Sequence, residues 1–110
     1  MPLSNKATLS KCDIATNCVL VEWELTNLDR AYEKLIGIAI KLPSTTLLEQ
    51  TNNYWHGLWR SLIFRFPDDL EILKLPKRGI LQVKSASRFG LGDLGVNRLR
   101  VNNLYKKLLD

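Results

Sequence analysis

The residues able to do chemistry cluster in two places. The first is the stretch "KSASRFGLGDLGVNRLR", residues 84–100, where three glycines separate two hydroxyls from a series of basic groups. Ser85, Ser87, Arg88, Asn97, Arg98 and Arg100 combine hydroxyl, amide and guanidinium donors beside the start of a helix. That set could hold a phosphate, sulfate or carboxylate. The competing reading has Asp93 capping the helix and Arg88 pairing internally with Asp68, Asp69 or Asp93. Gly90, Gly92 and Gly95 spell GxGxxG, but the dinucleotide fingerprint needs a further parallel strand, and 15 residues follow Gly95. Asp93 would also oppose a pyrophosphate. The three glycines and Asp93 therefore read as a turn and a cap.

The second cluster is His56, Ser61, Asp68, Asp69 and Glu71. His56 and Ser61 are five apart on one strand, so their side chains point to opposite faces and do not form a catalytic pair. Asp68 and Asp69 share a turn, and adjacency alone does not make a carboxylate dyad. With Cys12, Cys18 and a single histidine, four Cys/His zinc ligands cannot be assembled. No metal, cofactor or catalytic residue is expected, and a hydrolase-type enzyme is the weakest of the functional readings. A short-loop Cys12–Cys18 disulfide is geometrically conceivable; a reducing compartment leaves two thiols, and free thiols are the expectation.

These groups need a scaffold. Residues 1–17 are polar and without periodicity, an irregular arm; 18–110 form one domain. "CVLVEWEL" alternates as a half-buried strand. Thr26 and Asp29 resemble an acidic capping box, opening a helix near Asn27 whose apolar stripe runs from Leu28 to Leu42 and stops at Pro43. Residues 44–87 read as a meander. Its turns are Asn52-Asn53, which tolerates left-handed backbone, Pro67-Asp68, and "PKRG". A last helix from about Asp93 carries Val101, Leu104, Tyr105 and Leu108 on one stripe. The order β-α-β-β-β-β-α predicts an α+β two-layer sandwich, with an antiparallel sheet of four to five strands and two helices on one face.

The longest strand, residues 54–66, sets Tyr54, His56, Leu58, Leu62, Phe64 and Phe66 on one side. Trp55 and Trp59 lie on the other. Either the sheet curls or the arm covers the tryptophans, or they form an open face for a ligand or a second copy of the chain.

The 110 residues carry a formal charge of +5, unevenly spread. Residues 1–73 hold 7 Lys/Arg against 9 Asp/Glu, and residues 74–110 hold 9 against 2. This asymmetry favours an acidic protein or anionic ligand as partner, or simply serves solubility. The resulting expectation is a small non-enzymatic binding module for an acidic or amphipathic partner. Single-stranded nucleic acid is the alternative, through basic groups and stacking aromatics. No apolar run approaches the roughly 20 residues of a membrane span, and no targeting signal is visible, which points to a soluble cytoplasmic or plastid protein.

The string Ser85-x-Ser87-Arg88-x-Gly90-x-x-Asp93-x-Gly95-x-Asn97-Arg98-x-Arg100 resembles a domain-of-unknown-function family numbered fourteen ninety-nine. It is preceded by Tyr54-x-His56 and Phe66-x-Asp68-Asp69-x-Glu71, and Cys12 and Asn17-Cys18-Val19 resemble that family's N-terminal motif. The likeness covers almost the whole chain and implies no established activity. Asp13, Ser44 and Leu58 depart from the family pattern, which favours proline, arginine and an acid at those places. Any chemistry that relatives draw from that acid or arginine is absent here.

Overall fold

The computed structural model describes residues 8–60, 67–88 and 95–110. After a short 3-10 turn, Ala15–Asn17, the elements are β1 (Cys18–Glu24), α1 (Leu28–Ile40), β2 (Thr45–Gln50), β3 (Tyr54–Arg60), β4 (Pro67–Leu75), β5 (Ile80–Ser87) and α2 (Val96–Leu109). The five strands form one sheet in the order β1-β5-β4-β3-β2, with every pairing antiparallel. The α+β architecture and element order are those expected from the sequence. Helix α1 links one edge strand, β1, to the other, β2, so it must cross the whole sheet. The meander then walks back until β5 lies beside β1.

Local chemistry places these elements. The side chain of Asn27, rather than Thr26, caps α1, accepting from the Arg30 amide at 3.3 Å. Asp29 instead takes the Lys74 ammonium at 2.7 Å. The β2–β3 hairpin does not use left-handed asparagines, since Ser44 is the one positive-φ residue other than glycine among the described residues. Its loop is closed by Thr51, whose Oγ1 accepts from the amides of Asn53 and Tyr54 at 3.3 and 3.0 Å. The "PKRG" turn ends on Gly79 at φ 67, a conformation suited to glycine.

Both helices pack on one face of the sheet. Tyr32, Leu35, Ile36 and Ala39 of α1 and Val101, Leu104 and Leu108 of α2 meet Trp55, Trp59, Leu70, Ile72, Leu81 and Val83. Trp55 and Trp59 are thus core residues, 0% and 4% exposed. Of the two readings of these residues, burial holds and the open interaction face does not, and the cover is the helices rather than sheet curvature or the arm. The helices cover the tryptophan side of β3, and the Tyr54–His56 side is the one turned away. Gly57 lies between them under the Trp55 ring: a Cβ there would stand 2.3 Å from its Cη2. Of the long strand expected over 54–66, residues 61–66 lie outside the described residues.

The second face is partly closed by the arm. Leu9 is buried against Tyr54 and Leu73, with Leu20 and Leu75 packed around them. Its amide donates to Gln82 Oε1 at 2.8 Å, and Lys84 Nζ donates to the Ser10 carbonyl at 2.8 Å. Cys12 and Cys18 form a disulfide, their Cα atoms 5.6 Å apart, which corrects the expectation of free thiols. The 3-10 turn folds the chain back so that Cys12 comes beside the first residue of β1.

Candidate functional site

The strand register gathers the polar residues at the end of the sheet where β3 finishes and β4 begins. Asp68 and Asp69 are consecutive in β4, so alternation sends them to opposite faces. Each meets an arginine, in different surroundings.

On the helix side, Thr45, Trp59, Asp68 and Ser87 lie opposite one another in successive strands. Asp68 is 3% exposed, and its Oδ2 accepts from the Arg100 guanidinium. That guanidinium also stacks on Trp59, 4.7 Å from the ring centre. Next to this pair, Asn97 joins α2 to the sheet: its Oδ1 accepts from Ser85 Oγ at 2.5 Å, and its Nδ2 donates to Ser87 Oγ at 3.0 Å and to the Asn17 carbonyl at 3.2 Å. Asn97 and Ser85 are fully buried. The two serines and the asparagine therefore form a staple for the start of α2.

Of the six residues expected to hold an anion, Ser85, Ser87 and Asn97 bond to one another, and Arg100 holds Asp68. Arg98 is exposed on α2, and Arg88 belongs to the other face. The six do not converge on one point. Gly95, at φ 80, is the N-cap of α2, without a side-chain cap. Gly90, Gly92, Asp93 and Ser61 lie outside the described residues.

On the opposite face, Asp69 receives both nitrogens of the Arg88 fork, at 2.8 and 3.0 Å, and faces His56 Nε2 at 2.7 Å. Tyr54 donates to Glu71 Oε2 at 2.5 Å. Burial pushes the Asp69 carboxyl up, but hydrogen bonds and charge from Arg88 and His56 outweigh it and hold the group below its usual range. The Tyr54 hydroxyl is raised well above the ordinary phenol range by burial and by Glu71. Sequence reasoning missed the His56–Asp69 contact. The signal was in the parity: His56 lies opposite Glu71 in the β3–β4 register, which puts Asp69 diagonally beside it on the same face.

Beside the Arg100–Trp59 stack lies a cleft of about 240 Å³. Among the described residues its lining is Leu42 and Pro43 after α1, Trp59 and Arg60 of β3, and Arg100, Asn103, Leu104 and Lys107 of α2. The floor is apolar and the rim cationic. Among the described residues the buried Trp59 indole Nε1 has no hydrogen-bond partner, nor do Asp68 Oδ1 and Thr45 Oγ1, all three in the same row across the sheet. Buried polar atoms are seldom left so, and three in one row mark this end of the sheet. Among the described residues no group of three or more His, Cys, Asp or Glu is placed to hold a metal ion.

The fold and its polar end define an α+β module: one antiparallel sheet, two helices on one side, a disulfide-tied arm on the other. The family model described as "Protein of unknown function (DUF1499)" matches residues 7–108, and the chain belongs to that family. No curated protein matches the chain.

Proposed function

We propose that the protein is a non-enzymatic binding module that takes an acidic partner along the basic edge of α2. One observation carries this reading. Among the basic residues from 74 onward, Lys74, Arg78, Arg88 and Arg100 each hold an internal carboxylate. Arg98, Lys106 and Lys107 are exposed on α2, and among the described residues no carboxylate pairs with them. Unpaired cations on one rigid helix give a field that a partner, rather than the fold, can use.

Among the described residues no helix is long and apolar enough to cross a membrane. The Cys12–Cys18 bond favours an oxidising compartment over the reducing cytoplasm.

The test is a titration with polyglutamate and with a single-stranded oligonucleotide at low and at physiological salt. Polyglutamate binding that weakens steeply with salt is the expected result. Preference for the oligonucleotide would transfer the site to nucleic acid. Absence of binding to either polyanion at low salt would refute the reading.

A further inference from the structure

The cleft beside α2 sets an apolar floor, which the open basic edge lacks, against cationic side chains. The floor is Leu42, Pro43 and Leu104, and the rim carries Arg60, Arg100 and Lys107. We infer that this cleft binds a small amphipathic carboxylate, an apolar body carrying one carboxylate head. The inference rests on the reading of α2 as an anion-facing edge and names the ligand of one place on it.

Size sets the first limit. At about 240 Å³ the cleft falls below the range of drug-sized pockets, which begins near 300 Å³, so the occupant is a short chain or a single ring. Charge sets the second. Asp68 already takes one arginine of the rim, Arg100. Lys107 is exposed, with no carboxylate partner among the described residues, and supplies the uncompensated positive charge. Chemistry sets the third. The Lys107 ammonium is a donor without acceptor capacity, so its ligand must present an acceptor, and a carboxylate oxygen is a strong one. Inorganic phosphate meets the charge requirement but leaves the apolar floor wet, whereas a neutral alcohol covers the floor and leaves Lys107 unanswered.

The experiment uses octanoate as probe, with octanol and inorganic phosphate as controls. Binding is followed through the indole resonances of the three tryptophans in the labelled full chain. Octanoate should move the Trp59 N–H resonance while Trp55 changes little, and bind at least about tenfold more tightly than either control. Lys107→Glu, at an exposed position, should weaken octanoate by about tenfold, and Asn103→Trp, filling the cleft from the helix, should remove the Trp59 response. Equal binding of octanoate and octanol, or an octanoate response that survives Asn103→Trp, would overturn the inference. A chain that binds polyglutamate but not octanoate refutes the cleft ligand and leaves the basic edge standing; failure of both refutes the two together.

Discussion

Asp68 and Asp69 are neighbours in sequence with the same side chain, and the fold gives them opposite surroundings. Asp68 is buried beneath α2, bound by Arg100 and covered by a tryptophan–guanidinium stack. Asp69 faces outward in part, 22% exposed at its side chain, and is shared between Arg88 and His56. Asp68 is desolvated, so its charge must be matched. Around Asp69 water can replace a lost partner, so the same substitution should cost less there. Strand parity alone creates this contrast.

The contrast breaks hardest at Arg100. Arg100→Met keeps an apolar stem over Trp59 but leaves Asp68 buried and unpaired, so urea unfolding should show a loss of about 4 kcal/mol. Adding Asp68→Asn should recover a large part of it, because the uncompensated charge is gone. Gly57→Ala comes next, at about 3 kcal/mol, because the new methyl must displace the buried Trp55 ring. On the arm side, replacing Cys12 and Cys18 with serine should cost about 2 kcal/mol through the freed unfolded chain. It should also hasten hydrogen exchange at the Leu9 amide, now held by Gln82.

The smallest effect belongs to Asp69. Its carboxyl is held below the unfolded value of about 3.9. Its stabilisation is therefore complete above that value and disappears as pH falls through the lower folded one. Asp69→Asn should remove about 1 kcal/mol near neutrality and flatten the acid limb of the stability curve. An acid limb identical to the parent's would show that the Arg88–His56 contacts do not stabilise the carboxylate.

Much of the architecture could be read from the sequence. Alternation in "CVLVEWEL", the 3.6-residue stripe from Leu28 to Leu42 and the "PKRG" turn specify strand, helix and hairpin, whereas Pro67 and Asp68, expected in a turn, open β4. The strand order also follows once a helix has to carry the chain from β1 to a meander that returns to it. What periodicity could not decide was which side of β3 the helices cover, since both sides are rich in aromatics. Burial and an open interaction face therefore both fit the two tryptophans from the sequence alone, and the helices bury them. Gly57 between Trp55 and Trp59 was the available clue: a missing side chain in an apolar strand marks close packing. The anion site dissolved for a related reason. Its six residues are near in sequence, but β5 alternation sends Ser85 and Ser87 to the helix side and Arg88 to the other. The disulfide depends on a backward fold of residues 12–18 that no local pattern announces.

The central claim is that the cations of α2, and not the Ser85–Arg88 segment, meet the acidic partner. The most direct measurement compares polyglutamate affinity at low salt for the parent chain, Arg98→Glu/Lys106→Glu and Arg88→Ala. The account predicts a loss of at least about tenfold for the α2 pair and almost none for Arg88→Ala. Unchanged binding in the pair, with binding lost in Arg88→Ala, would contradict it.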